Sequence, residues 1–131
     1  MILLDTHIWV WWVAQDPALP EAVRQLILEH QPAGMGISII SCWEVAKKVE
    51  VGKLVLDRDV VAWLDAALVY PGIGVIALTP EIVVESTRLP GSFHRDPADQ
   101  MIVATARVLG IPLLTNDGRI RAYEGVVTPG E

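Results

Sequence analysis

Apolar and polar positions along this chain fall into blocks that alternate between strand and helix patterns. Met1–Leu4 is a short apolar run closed by Asp5, as expected of a buried first strand. From His7 to Ala14, Trp9, Trp12 and Val13 recur at helical spacing and predict a helix. Asp16-Pro17 and Leu19-Pro20 mark a turn, with Pro20 opening a second helix over Glu21–His30. Pro32 and Gly34 break that helix, and Met35–Ile40 reads as the second strand. Ser41-Cys42-Trp43-Glu44 has the form of a capping box, which predicts a helix from there to about Val51, closed by Gly52. Asp57 or Asp59 caps a fourth helix with Val60, Leu64, Ala67 and Leu68 as its apolar stripe. Val75–Leu78 is the third strand, and Thr79-Pro80-Glu81 opens a helix through about Arg88. After the loop Leu89-Pro90-Gly91-Ser92, Asp96-Pro97-Ala98-Asp99 starts a helix to Leu109. Leu113–Thr115 is the fourth strand, Asn116-Asp117-Gly118 a turn, Ile120–Tyr123 a short helical piece, and Val126-Val127 an edge strand. Strands alternating with helices predict a parallel sheet covered on both faces.

Composition narrows the class. At 131 residues and 52% hydrophobic content, one domain over 1–131 can bury a core without disulfides or structural zinc. Cys42 is the only cysteine, so neither an internal disulfide nor a cysteine-based zinc site is available. No apolar run reaches the roughly 18 residues of a membrane helix, and the start lacks the charged and long apolar regions of a secretory signal. The expected location is cytoplasmic. The net charge of −6 speaks against a nucleic-acid partner, unless part of the acid is offset by bound cations.

The chemistry lies in the carboxylates. Asp5, Glu44, Asp96, Asp99 and Asp117 each fall where an apolar strand ends or a helix begins. In a parallel sheet these places converge on the carboxyl edge, where such folds bind ligands. Taken singly, each has an ordinary explanation. Asp5 can cap the first helix, though Thr6 could do so instead; Glu44 completes the capping box with Ser41; Asp96 caps with Pro97 at the first helical position. Asp117 suits a turn. One acid suffices to cap a helix, however, so Asp99 needs its own reason. Several carboxylates at one sheet edge repel one another, and a hard divalent cation such as Mg²⁺ or Mn²⁺ relieves that repulsion. The conjunction points to metal-dependent hydrolysis of phosphodiester bonds. A non-catalytic module whose acids only cap helices is the alternative.

Other motifs carry less. His7, His30 and His94 have no histidine partner at zinc-ligand spacing. No Gly-x-Ser-x-Gly elbow, phosphate loop or dinucleotide fingerprint occurs, and Cys42 suits a buried thiol. A phosphoacceptor receiver would need adjacent acids after the first strand and a lysine near the last; Asp5 follows leucine, and no lysine follows Lys53. Trp43 and Trp63 fit core faces. Trp9, Trp11 and Trp12 cannot all face one way on a single helix, so an outward indole and a dimer or partner surface near the first helix are expected.

Four segments together resemble the PIN domain, and within it the VapC-type toxins of toxin–antitoxin pairs. They are Leu-Leu-Asp5-Thr6-His7-Ile-Trp, Ile-Ser41-Cys-Trp-Glu44-Val-Ala, Phe-His94-Arg95-Asp96-Pro-Ala-Asp99-Gln-Met-Ile-Val-Ala and Leu-Leu-Thr115-Asn116-Asp117. The resemblance spans nearly the whole chain. It implies a PIN-like three-layer α/β/α sandwich with a central parallel sheet of four to five strands. It also implies a metal-dependent endoribonuclease toxin acting on RNA, with Asp5, Asp99 and Asp117 as ligands of Mg²⁺ or Mn²⁺ and Glu44 completing the set. Asp96 shares the site or only caps its helix, and Asn116 stands where many relatives carry another residue. Thr6, Ser41 and Thr115 are expected to steady the ligands, while Arg95 and Arg119 reach phosphate. A small antitoxin is the protein partner the resemblance implies; the homodimer expectation rests on the tryptophans of the first helix.

Overall fold

The computed structural model describes residues 1–130. Four short strands, β1 (Ile2–Leu4), β2 (Met35–Ser38), β3 (Ile73–Ile76) and β4 (Leu113–Leu114), form one sheet in the order β3-β2-β1-β4. Every pairing is parallel, with Ile2 opposite Met35, Leu3 opposite Leu113 and Ser38 opposite Ile76. Seven helices connect and cover it: α1 (Thr6–Ala14), α2 (Glu21–His30), α3 (Ile39–Glu50), α4 (Val60–Leu68), α5 (Pro80–Ser86), α6 (Pro97–Leu109) and α7 (Gly118–Arg121).

The pleat sorts the strand side chains into two cores. Ile2, Leu4, Met35, Ile37 and Leu114 turn to one face, where Ile8, Trp9 and Trp12 of α1, Ile27 of α2 and Trp63 and Ala67 of α4 meet them. Leu3 and Leu113 turn to the other, against Ile102, Val103 and Ala106 of α6 and Ile120 of α7. The fold is thus an α/β sandwich of three layers around a four-stranded parallel sheet. Gly36 has a packing reason: a Cβ there would sit 2.3 Å from the Ile76 side chain on the neighbouring strand.

Chain order matters for the site. From β1 the chain builds outward through β2 to β3, then returns to place β4 on the opposite flank of β1. The order reverses at β1, and the crevice beyond the strand ends at such a reversal is where open sheets receive ligands.

Several local expectations change. The α3 helix begins before the Ser41–Glu44 motif: Ser38 is its N-cap, accepting from the Ile40 N–H at 3.2 Å. Ser41 and Glu44 therefore lie inside the helix and form no capping box. The apolar Ile39 and Ile40 hide the boundary, because they continue the strand's composition into the helix. Asp5, not Thr6, caps α1. The third strand runs two residues earlier than its apolar run implies. Val126-Val127 forms no strand, although the Val127 carbonyl accepts from the Leu113 N–H at 2.8 Å and closes the β4 edge. Trp43, expected in the core, is 55% exposed; Trp11 is only half-exposed, with His7 edge-on to its ring at 5.1 Å.

Candidate metal centre

The end of β1, the middle of α3, the first turn of α6 and the turn before α7 build the site. Asp5 ends β1 and is almost wholly buried. Its Oδ1 accepts from the Thr6 N–H at 2.8 Å, capping α1, while Oδ2 accepts from the Thr115 hydroxyl at 2.7 Å. Thr115, just past β4, in turn accepts from the Asp117 N–H at 3.0 Å. One hydroxyl thus ties the carboxylate of β1 to the turn after β4, across the switch point.

A second relay reaches α3. Thr6 Oγ1 lies 2.6 Å from Glu44 Oε1 and 2.8 Å from Ser41 Oγ. Thr6 has one hydroxyl proton and an ionised carboxylate can only accept. Thr6 therefore donates to Glu44, and the fully buried Ser41 donates to Thr6. Burial raises Glu44 above the ordinary carboxylate range, the Thr6 hydrogen bond opposes this, and the Asp5 charge adds to the rise.

Asp99 comes from the first turn of α6, behind the cap Asp96, whose Oδ1 accepts from the Asp99 N–H at 3.0 Å. Carboxylate oxygens of Asp5, Glu44 and Asp99 all lie within 4.8 Å of one another. The Asp99 carboxyl is pushed up to about 7, first by burial and then by the charges of Asp5, Asp96, Glu44 and Asp117. His94 Nε2 lies 3.0 Å from Asp99 Oδ2, an ion-pair contact in which that buried nitrogen makes no hydrogen bond.

Asp117 caps α7 through Oδ1 and has Arg119 Nη2 3.5 Å from Oδ2. Burial would raise it, but the Arg119 and Ile120 N–H donors and the Arg119 side chain outweigh that and lower it. It stands outside the tight group of three, yet close enough for its charge to act on Asp99. His7 holds this turn: its Nε2 accepts from the Asn116 N–H at 3.1 Å, so Nδ1 carries the proton and faces Asp5 Oδ2 at 3.6 Å. Burial keeps His7 below its ordinary value and therefore neutral.

Capping accounts for Asp96 and Asp117 and for one oxygen of Asp5. It accounts for neither Glu44, in the middle of α3, nor Asp99. An all-oxygen set whose members disfavour one another's ionisation fits a hard divalent cation. Arg95 is exposed and lines a small polar recess with Gln100, Ser86 and Thr87. Lys48, which no sequence motif singles out, bears its charge on both Glu44 and His7; its spacing of four from Glu44 was the available signal.

Fold and site define an open-sheet α/β protein with a cation-type acidic centre at its switch point. The PIN domain family model matches residues 2–126. Over 122 residues the chain is 34% identical to Ribonuclease VapC22 of Mycobacterium tuberculosis, covering 93% of this chain and 91% of that protein. The chain belongs to the PIN domain family. Its fold is similar to DNA-bound VapBC from Salmonella typhimurium, with a TM-score of 0.73 at 19% identity over 98% of this chain and 96% of that one. VapBC2 from Rickettsia felis, bound to a promoter DNA fragment, matches with a TM-score of 0.71 at 18% identity over 98% of each chain. At these identities the two structures speak to fold alone.

Proposed function

We propose that this protein is a metal-dependent endoribonuclease, the toxin of a toxin–antitoxin pair, acting through its 131 residues as one domain. The observation that carries the reading is the meeting of Asp5, Glu44 and Asp99 oxygens within 4.8 Å. Identity of 34% to a ribonuclease over 93% of the chain supports RNA as substrate.

Asp5, Glu44 and Asp99 would hold the cation, Mg²⁺ or Mn²⁺, with Asp117 at the margin. When bound, it would polarise a phosphoryl oxygen and make water a stronger nucleophile. The protein's share is positioning. Thr115 and Thr6 fix Asp5 and Glu44 in orientation by donating to them, as outer partners of metal ligands do. His7 and Thr115 together set the turn that carries Asp117. Arg95 and Arg119 supply positive charge toward phosphate, Arg119 by leaving Asp117. Asp96 holds the first turn of α6, and so Asp99, in place.

An antitoxin would suit the mixed groove between α1 and α4, lined by Val10, Val13, Trp63 and Tyr70 and edged by Asp16, Asp57 and Arg58. Self-association through the exposed Trp43 or the Trp11 side of α1 is the proposed dimer contact. No helix among the described residues is long and apolar enough to cross a membrane.

The test is cleavage of total RNA by purified protein. Activity is expected with Mg²⁺ or Mn²⁺, absent in EDTA, restored by adding the ion back, and abolished in Asp99→Asn. Cleavage that persists in EDTA or in Asp99→Asn would refute the scheme.

A further inference from the structure

A phosphate entering this site must pass a strongly negative field. The charges of Asp5, Glu44, Asp96 and Asp117 all act on Asp99, in a chain whose net charge is −6. A polyanion needs protein cations to approach, beyond whatever the carboxylates hold. Five of the ten lysines and arginines are already engaged in ion pairs. Arg107 binds Glu85 and the Gly125 carbonyl, Lys47 pairs with Glu50, Arg58 with Asp57 and Arg24 with Glu21; Arg119 lies 3.5 Å from Asp117.

Lys48 is different. It is exposed and has no ion-pair partner among the described residues. It follows Glu44 by one turn of α3, and α3 packs against α1. That spacing puts the exposed Lys48 on the flank of α3 that carries Glu44, beside α1, and its charge acts on Glu44 and His7. It does not neutralise Glu44 directly, whose Oε1 takes the Thr6 hydroxyl instead. The site below is recessed, with Asp5 at 3% exposure. A flexible single strand can lower a phosphate into such a recess, whereas a stiff duplex presents its phosphates on a convex surface.

Building on the nuclease reading, we infer that Lys48 binds a phosphate of single-stranded RNA flanking the scissile one and so positions the strand over Asp5, Glu44 and Asp99. The residue is a substrate-binding cation; the carboxylate centre does not need it to assemble.

The experiment compares wild type, Lys48→Met and Lys48→Arg. Affinity for a labelled single-stranded RNA of about 12 nucleotides is measured by fluorescence anisotropy across a salt series, with Ca²⁺ present. Mn²⁺ affinity without RNA is measured by electron paramagnetic resonance. Lys48→Met is expected to weaken RNA binding about 5- to 10-fold at low salt and to reduce the slope of log affinity against log salt by about 0.7, one phosphate contact on a single strand. Lys48→Arg is expected to keep most of both, and Mn²⁺ affinity to stay unchanged in all three. Unchanged RNA affinity and salt slope in Lys48→Met would overturn the inference. So would a loss confined to Mn²⁺ binding, which would make Lys48 a counter-charge for the carboxylates. A wild type that binds but never cleaves RNA would strike the nuclease reading instead, leaving this comparison intact.

Discussion

Asp99 is the side chain on which the rest of the cluster converges, and its protonation carries a stability consequence. Its carboxyl sits at about 7 in the fold against an ordinary 3.8. The folded protein therefore keeps a proton that the unfolded chain releases between those values. Raising pH through that window destabilises the metal-free fold, with the full loss above about 7. His7 works oppositely at the acid end: burial lowers it from 6.5, so acid below that value favours the unfolded chain. The metal-free protein is thus expected to melt higher at about pH 6 than at about pH 8, and Asp99→Asn to abolish that difference; thermal melts in EDTA check it. Thr6→Val probes the other relay. It keeps the shape and removes the donor to Glu44, and is expected to reduce cation affinity or cleavage about 10- to 100-fold. Equal metal titrations for Thr6→Val and wild type would show that the hydroxyl only fills space.

Among the elements, legibility followed the caps. Thr79 and Asp96 are readable because each stands directly before a proline that opens a helix, and Asp59 only as one of two candidates with Asp57; each accepts from an N–H of its helix. The start of α3 was not readable, because Ser38 and Ser41 both precede helix-compatible residues and only register with the sheet separates them. Ser38→Ala is expected to cost about 0.5–2 kcal/mol through the lost cap, measured as a shift in denaturant midpoint. The indoles were ambiguous for a related reason: periodicity gives a face but not what that face meets. Trp9, fully buried and 5.2 Å from Trp63, is expected to cost about 3–5 kcal/mol on change to alanine. Trp43→Ala should stay within about 0.5 kcal/mol for the isolated chain. A large loss at Trp43 in dilute protein would mean that a partner covers it.

Across the whole molecule, the sequence showed that acids end strands, and a parallel sheet with a reversal at β1 turns that into proximity. The candidate site is legible to this extent: Asp5, Glu44 and Asp99 fall at predicted strand and helix ends in the sequence, and their oxygens lie within 4.8 Å of one another. What the sequence could not show was division of labour. Asp117 spends one oxygen on α7 and lies beside Arg119, and Asp5 serves as cap and cluster member at once. Those roles depend on side-chain directions that spacing does not encode. Binding of an ion to the folded state alone also links function to stability. Saturation at about 100 times the dissociation constant is expected to add about 2.7 kcal/mol. EDTA should therefore lower the melting temperature of metal-loaded wild type, and leave that of Asp99→Asn nearly unmoved.

The most direct measurement is anomalous diffraction from crystals soaked in Mn²⁺. Density for manganese is expected between the carboxylates of Asp5, Glu44 and Asp99 in the wild type, and none there in Asp99→Asn. Wild-type crystals with those three carboxylates ordered and no manganese among them, at a concentration that supports RNA cleavage, would contradict the shared-ion site.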